Sequence, residues 1–595
     1  MSPEKRGGKI PAGRRAAAGE IARLAEEAPR LARSDPKALE GRLAELALRD
    51  QLELALRTPA PDRLDLLLHA PSPMKLARML PDFEAYLTVR EVGPHDALPL
   101  LSLASASQIT HLLDLEGWRG DRFDADRAGA WAALLLEAGE PTLVRFLRSA
   151  DDEMLTLLLA RWACVEPIPI EDTPSIHGTG ETEAGTDRGF VTPDGHHRFR
   201  PTISEHAPAI RRIAEVFFRL DPERYWRLIW ATQSEVAAEL EEEALRWRQR
   251  RLEEHGFPDR EEALSIYAPP ARRQEPAPAP PRAVEEGAVA PRTALRLLAD
   301  RGPLAEALGA FAGAEREEML FQLASVANHV LVADGADAGD PETHRASIAK
   351  AGAYVGIALA ARGASTPEGA ADALRRATVK ELFREGYARA AELQRRALSL
   401  VRHGWASGHP RALELLDVPI RPRVLGLLGA RPAYFDPSPA TGGRDYREFR
   451  SQEEIEETRI ALEMAETLGT VFVEALRLDV ESALRHDAGR RPEPPRFSAL
   501  LLTALAWHAE RGELRGSPLP RDAAAAFLAG GATRDALEAF VGRVSESAGL
   551  DPRRTAALLA FGRACLDRLG EECGSLAPGR LPDPRFVSCL ILEGD

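Results

Sequence analysis

Recurrent helix breaks constrain the first part of this chain more than any other feature. Between residues 62 and 164, stop and start signals built from proline, glycine, serine and aspartate occur at 70–73, 80–82, 93–96 and 104–107. The segments between these breaks are rich in leucine and alanine and are about two to three turns long. Because helices this short are unstable alone in water, they must stack on one another, as they do in superhelical interaction domains.

Apolar side chains repeat at the helical period within these segments. Leu155, Leu158 and Leu159 are spaced i, i+3, i+4. Trp162 continues the series at i+7, so the four side chains form one stripe along a helix. The period therefore predicts a mainly all-α protein whose first domain is a superhelical array of short helices.

The helical period disappears between residues 166 and 206, where glycine, threonine and acidic residues take over. Within this irregular excursion, Thr-Pro-Asp-Gly at 192–195 lies between two short runs that contain Phe190 and Phe199. A Pro-Asp-Gly turn between such runs is typical of a β-hairpin. We therefore expect one β-hairpin excursion in an otherwise helical first domain.

Prolines concentrated at 268–292 predict a stiff, extended linker between two helical domains. The apolar run at 585–592 is consistent with a last β-strand or with a docked tail. The predicted organisation is a disordered tail at 1–19, a helical array at 20–165, the excursion at 166–206, helices completing the first domain at 207–267, the Pro-rich linker at 268–292 and a C-terminal helical domain at 293–595.

Charge and hydropathy argue against several classes of protein. The net charge of −15 repels polyphosphates, so we expect no nucleic-acid partner. The most apolar stretches, 349–361 and 497–507, are shorter than the roughly 20 residues that span a bilayer, and no apolar region follows the basic N-terminus as in a signal peptide. Four scattered cysteines without a CxxC pair indicate a reducing, cytoplasmic setting.

Distinctive motifs run through the chain from about residue 60 onward. They are GPHDALPLL at 93–101, LLDLEGWRGD at 112–121, EEEALRWR at 241–248, GFPD at 256–259, ADG at 333–335, GDP at 339–341 and YREFRS at 446–451. Together they resemble a bacterial domain-of-unknown-function family with no assigned activity. The resemblance therefore implies a fold more than a function.

The short-helix array at 62–164 is also similar to the helical N-terminal domain of bacterial magnesium transporters. More distantly, it resembles helical domains of the flagellar motor switch. Those domains are regulatory or protein-contact modules, so this similarity implies a protein partner. It implies no transport, because the sequence contains no predicted membrane span.

Four histidines, among them His177 and His206, lie in the excursion and are the first candidates for a metal site. Imidazole is a good ligand for zinc or nickel. However, adjacent His196 and His197 in a strand point to opposite faces, and no regular ligand spacing accompanies them. Exposed loop histidines are the alternative, and we predict no bound metal or cofactor.

Asp334, Asp337 and Asp340 form a second candidate, because oxygen ligands at short spacing suit calcium or magnesium. Their spacing is not that of an EF-hand. The simpler interpretation is a helix that ends near Asp334 and a second helix capped by Asp340, with Pro341 at its first position.

Trp118, Arg119 and Asp121 lie in a break between helices and are the candidate residues for a protein contact. The alternative is that Trp118 packs as a loop anchor. Trp226, Trp230 and Trp247 fall on helical stripes, which predicts a place in the core.

No phosphate loop, dinucleotide fingerprint, nucleophile elbow or HExxH motif occurs in the sequence. We therefore interpret the chain as a non-enzymatic, cytoplasmic interaction, scaffold or regulatory module that binds another protein. The alternative is an enzyme, or a ligand or metal sensor, of unrecognised class. Its site would lie between the two domains, lined by the loop at 334–340 or the loop at 446–450.

Overall fold

The structure is a computed structural model, and it describes residues 18–168, 189–234, 236–269, 303–438, 445–485, 495–573 and 589–593. These residues are mainly α-helical, with small antiparallel sheets, which confirms the predicted fold class. Most of the predicted N-terminal tail and linker lies outside the described residues, and so does His177.

Many of the helices up to residue 264 are short, and several of them begin at a side-chain cap or a proline. Asp35 accepts a hydrogen bond from the Ala38 N–H at the start of one helix. Ser105 and Gln108 form a reciprocal capping box at another. The helices of this part are α1 Ala18–Ser34, α2 Pro36–Glu45, α3 Leu48–Arg57, α4 Ala60–Leu68, α5 Pro73–Met79, α6 Asp82–Val92, α7 Leu98–Leu103, α8 Ala106–Glu116, α9 Ala125–Glu137, α10 Glu140–Ser149, α11 Asp152–Trp162, α12 Ala207–Leu220, α13 Pro222–Ser234, α14 Ala237–Glu254 and α15 Arg260–Leu264, with 3-10 turns at Ser204–His206 and Ser265–Tyr267.

The core of this part is built from the predicted stripes. Leu155, Leu158, Leu159 and Trp162 on α11 are all buried. Burying a large apolar side chain contributes about 1.5–3 kcal/mol, which individual short helices cannot obtain without neighbours. The packing of stripe against stripe therefore holds the array together.

The predicted β-hairpin is confirmed. β4 (Phe190–Val191) pairs antiparallel with β5 (His197–Pro201), and Gly195 in the turn has φ +74°, which glycine adopts readily. β3 (Ala163–Pro167) pairs with the other side of β5 and completes a three-stranded sheet in the order β3–β5–β4. A smaller pair, β1 (Trp118–Arg119) and β2 (Arg122–Phe123), precedes α9.

The chain divides into two compact units at a place that composition did not indicate. The first unit is Met1–Val355 with Gly363–Arg384, and the second is Gly356–Arg362 with Glu385–Asp595. Helices after the proline-rich segment thus belong to the first unit, whereas the sequence predicted a new domain from residue 293. Side chains from both sides of the proline-rich segment are in contact: the ring centroids of Phe83 and His344 are 4.7 Å apart, and Arg345 forms an ion pair of 2.7 Å with Glu91.

The remaining helices are longer on average, and two of them end in π-helical turns, at Thr470–Ala475 and Phe527–Gly531. β6 (Tyr434–Phe435) pairs with β7 (Tyr446–Arg447), and Leu592 forms one parallel bridge with Leu519. The helices are α16 Pro303–Gly309, α17 Gly313–Ala333, α18 Pro341–Ala361, α19 Pro367–Arg376, α20 Val379–Arg402, α21 Ile420–Gly426, α22 Gln452–Gly469, α23 Val480–Arg485, α24 Phe497–Arg511, α25 Arg521–Ala526, α26 Arg534–Ala548 and α27 Pro552–Cys573, with a 3-10 turn at Ala412–Leu415.

Candidate functional site

A groove of about 340 Å³ opens on the surface of the second unit. Its apolar side chains include Leu476, Leu478, Leu500 and Ile591. Charged and hydroxyl side chains also line it, among them Arg477, Asp479, Ser482 and Arg515. We call this feature the Arg477 groove.

A π-helical turn places Arg477 at the groove. After α22, the Leu476 N–H donates to the Val471 carbonyl at 2.9 Å, five residues back rather than four. Arg477 then takes φ +56°, a left-handed conformation that costs a non-glycine residue about 1–3 kcal/mol. The Leu478 N–H donates to the Phe472 carbonyl at 2.8 Å and fixes the turn. This backbone holds Arg477 exposed while Leu476 and Leu478 line the groove.

Of the two arginines that line the groove, Arg477 is the one left available for a partner among the described residues, because Arg515 already pairs with Glu513 at 3.3 Å. Asp479 is occupied, because it accepts hydrogen bonds from the N–H groups of Glu481 at 3.0 Å and Ser482 at 3.2 Å. Within the part of the chain that the structure describes, Arg477 has no ion-pair partner. The Arg515 guanidinium lies 5.2 Å from the ring centroid of Trp507, a cation–π contact that orients it.

The opposite wall of the groove comes from the chain end. The Leu519 N–H donates to the Ile591 carbonyl at 2.8 Å, and the Glu593 N–H donates to the Leu519 carbonyl at 2.9 Å. These bonds hold the segment extended and place Ile591 in the lining of the groove. An apolar floor with an exposed cationic rim is the composition of a surface that binds an apolar side chain beside a carboxylate.

A second feature, in the first unit, is a buried cluster of histidines and phenylalanines. The ring centroids of His111 and His255 are 4.3 Å apart, and those of Phe83 and His344 are 4.7 Å apart. A cavity of about 30 Å³, the volume of a water molecule or two, lies beside Phe83, Phe257 and His344. The cluster is too small for an organic substrate.

Burial disfavours the charged forms of His111 and His344. It lowers the pKa of His344 to about 4, and it holds the pKa of the completely buried His111 well below the usual value. The neighbouring His255 and His344 lower the pKa of His111 further. Neither ring nitrogen of His111 has a hydrogen-bond partner among the residues that the structure describes. His111 and His344 therefore pack as uncharged rings, and their protonation is disfavoured in the folded chain.

Two candidate metal-binding histidines of the excursion, His196 and His197, contact a tryptophan. His196 is exposed and His197 is buried, and both rings lie against Trp226, with centroid distances of 5.6 Å and 5.3 Å. Across the described ranges, no group of three or more His, Cys, Asp or Glu side chains is arranged to hold a metal ion.

The three aspartates of the other candidate serve the backbone and nearby side chains. Asp334 accepts from the Tyr267 hydroxyl at 2.7 Å and from Lys350 Nζ at 3.0 Å. Asp337 accepts from the Gly339 N–H at 2.8 Å, and Asp340 accepts from the Glu342 N–H at the start of α18, at 2.9 Å. These bonds organise the turn between α17 and α18.

Of the candidate contact residues, Trp118 is buried, whereas Arg119 and Asp121 are exposed. The Trp118 side chain is 3% exposed and packs with Leu157 and Leu240, while the Arg248 guanidinium lies 5.3 Å from its ring centroid. Trp118 is thus the loop anchor of the alternative interpretation.

The predicted core positions of Trp230 and Trp247 were wrong. Trp230 is 73% exposed and Trp247 is 38% exposed. In α13 the buried face carries Tyr225, Leu228 and Ile229, and Trp230 lies one residue beyond that face.

The two loops proposed to line a site fall in different units. Residues 334–340 belong to the first unit and residues 446–450 to the second. In the second loop, Arg447 pairs with Asp436 at 2.6 Å and with Glu454 at 2.7 Å. The pair with Glu454 joins β7 to α22, and the pair with Asp436 joins β7 to the residue that follows β6. The Arg447 guanidinium is therefore already paired.

Sequence reasoning missed the Arg477 groove. A π-helical turn leaves no signature in a search for the α-helical period, and Arg477 stands where glycine or asparagine usually marks a left-handed residue. The groove also joins residues more than one hundred positions apart, such as Leu476 and Ile591, which only the fold brings together.

Comparison with known proteins adds one finding. A family model described as a family of unknown function (DUF6178) matches residues 40–593. Searches of curated proteins and of solved structures gave no match. The resemblance to a domain-of-unknown-function family is confirmed, and the similarity to magnesium transporters gains no support.

Proposed function

The chain belongs to this family of unknown function, and we propose from its geometry that it is a non-enzymatic interaction module. It binds a segment of another protein in the Arg477 groove. The observation behind the proposal is the apolar lining of the groove beside an exposed arginine that pairs with no carboxylate among the described residues. We further propose a cytoplasmic setting and a protein rather than a nucleic acid as the partner, in keeping with the net charge of −15.

The chemistry of the groove defines the segment. Leu476, Leu478 and Ile591 suit a bulky apolar side chain, which would remove their exposed surface from water. Arg477 suits an aspartate or glutamate next to it, because a guanidinium pairs with a carboxylate through two hydrogen bonds. The expected ligand is therefore an extended segment that carries an apolar residue beside an acidic one.

The backbone at the groove supports an extended ligand. The chain end itself lies there in an extended conformation, bonded to Leu519 through two backbone hydrogen bonds. Recognition of extended segments by backbone pairing, with pockets for side chains, is a common mode of peptide binding.

The experiment is selection of random peptides on the full-length chain, followed by fluorescence anisotropy on the enriched sequences. We expect enrichment of an apolar residue adjacent to Asp or Glu. Arg477→Glu should weaken binding at least about tenfold, because it replaces a charge-assisted hydrogen bond by a repulsion between like charges. A tenfold change in Kd corresponds to about 1.4 kcal/mol of binding free energy.

Arg534→Glu is the matched control. Arg534 is an exposed arginine of the same unit, 73% exposed at its side chain, and it does not line the groove. Affinity for the selected peptides should stay within about twofold of the wild type. Peptides that bind Arg477→Glu and the wild type equally well, or the failure of any peptide to enrich, would refute the proposal.

A small-ligand sensor is the second candidate function. The groove volume of about 340 Å³ lies at the lower end of the ~300–1,000 Å³ typical of ligand pockets. A thermal-shift screen of small carboxylates separates the two functions. A rise in Tm with a carboxylate, lost in Arg477→Glu, together with no enriched peptide, would favour the sensor.

A further inference from the structure

Two of the four cysteines meet in the second unit. Cys573 is the last residue of α27, and Cys589 begins the described segment at the chain end. Their sulfur atoms are 3.9 Å apart, and both side chains are buried. Because these residues are 16 positions apart in the sequence, the contact is a product of the fold.

The position of Cys589 is fixed by its neighbours. The Ile591 N–H donates to Thr503 Oγ1 at 3.0 Å, and Leu519 bonds to the same segment on its other side. Cys589, Leu590, Ile591 and Leu592 are all buried. The Cys589 thiol is thus held facing the end of α27 by hydrogen bonds and by packing.

We propose that Cys573 and Cys589 are an oxidative modification site, where a peroxide converts the thiol pair into an intramolecular disulfide that fastens the chain end to α27. A disulfide needs its sulfurs about 2.05 Å apart and its Cα atoms within about 7 Å, so the sulfurs must approach by about 2 Å. The two sulfurs are already in van der Waals contact at 3.9 Å, so the approach is short. The inference is independent of the groove and of its ligand.

The chemistry balances with hydrogen peroxide as the oxidant. One thiol, as its thiolate, attacks the O–O bond, takes one oxygen to become a sulfenic acid and releases water. The second thiol attacks the sulfenic sulfur, the S–S bond forms and a second water leaves. Two thiols lose two electrons in total, and the peroxide accepts them.

The other cysteines do not compete for this bond. Cys164 is exposed on β3 in the first unit, and Cys565 is buried earlier in α27. Among the described residues, the Cys573–Cys589 contact is the one between cysteine sulfurs. A disulfide formed in the folded chain should therefore have a single connectivity.

Burial controls how fast the pair reacts. It raises the pKa of Cys573 and that of Cys589, so little of the reactive thiolate is present at neutral pH. Oxidation should accelerate as the pH rises towards 9. The pair therefore responds to sustained oxidation and is protected from brief exposure.

The test uses the full chain with Cys164→Ser, which removes the exposed thiol and leaves three. This protein is treated with hydrogen peroxide at pH 8.5, alkylated in denaturant and digested with trypsin. We expect two of the three thiols to be lost, with the peptides 569–580 and 586–595 joined through a reducible bond. The Tm of the oxidised chain should exceed that of the reduced chain and return when dithiothreitol is added.

Two variants test whether the thiols that are lost are those of Cys573 and Cys589. In the same background, Cys589→Ser and Cys573→Ala should each keep both remaining thiols after peroxide, as counted by alkylation even if the variant is less stable. A disulfide that contains Cys565, or three thiols that survive a treatment sufficient to oxidise free glutathione, would overturn the proposal.

Discussion

At the residue scale, two tryptophans of the first unit test how burial decides the importance of a side chain. Trp118→Ala should lower the free energy of unfolding by about 3–5 kcal/mol, because it removes a large buried side chain and leaves a cavity beside Leu157. Trp230→Ala should change that free energy by no more than about 0.5 kcal/mol, because Trp230 is exposed. Urea titration followed by circular dichroism measures both.

The reverse order of effects would show that the exposed face of α13 is covered in solution. The sequence could not distinguish the two residues. Both are large aromatics near helical segments, and a rotation of roughly 100° from one helix residue to the next carries Trp230 away from the face of Ile229. The period predicts that a buried face exists, but the residues at its edge depend on neighbours that only the fold supplies.

Acid should destabilise the first unit through its buried histidines. His344 has a folded pKa of about 4 and an unfolded value of about 6.5, so the unfolded chain binds more protons when the pH falls below 6.5. The stability that His344 contributes is present above pH 6.5 and is lost as the pH falls towards 4. Between pH 7.5 and pH 5 the loss from this residue is about 2 kcal/mol.

Urea titrations at the two pH values measure this loss. His344→Gln cannot gain a proton in this range, so its stability should fall by about 2 kcal/mol less than that of the wild type, even if it starts lower. An equal fall in both proteins would assign the acid sensitivity to other groups, of which His111 in the same cluster is the first to test.

At the element scale, two glycines inside helices should respond in opposite directions to alanine. A Cβ at Gly469, where α22 passes into its π-helical turn, would lie 1.8 Å from Cδ1 of the buried Trp405. A Cβ at Gly542 in α26 would meet nothing within 4 Å. Gly542→Ala should therefore raise the free energy of unfolding by about 0.5–1 kcal/mol through helix propensity alone, whereas Gly469→Ala should lower it.

Thermal unfolding of both variants checks this pair. A stabilised Gly469→Ala would mean that Trp405 is not seated against α22. Its indole N–H donates to the Ala465 carbonyl at 3.0 Å, and that bond holds the ring in the path of the new methyl group.

Helices and strands could be predicted from the sequence where neighbouring residues alone determine them. The hairpin at 192–195 follows from turn chemistry, and the short helices follow from their caps and prolines, so both were available from the sequence. The π-helical turn before Arg477 follows from packing around Phe472 and Val471, both fully buried, and no local rule encodes it. The groove therefore had to be found in three dimensions.

At the scale of the whole molecule, the proline-rich composition of 268–292 predicts a linker, and the division of the chain into compact units falls elsewhere. Prolines at 268–292 suggested that residues 293–595 fold by themselves. The first unit instead includes the chain up to Val355, because side chains on both sides of the proline-rich segment share one core. Linker composition describes a local chain, whereas a unit is defined by long-range packing.

Cleavage within the proline-rich segment tests that difference. With a specific protease site inserted between residues 280 and 281, the cut chain should elute from a size-exclusion column as one species of unchanged size. The ring of Phe83 lies 4.7 Å from that of His344, Phe257 packs on the same histidine, and Arg345 pairs with Glu91, so the two fragments share a buried interface. They should separate in urea. Separation in plain buffer would restore the domain boundary that composition predicts, because fragments joined only by a linker have no contact to hold them together.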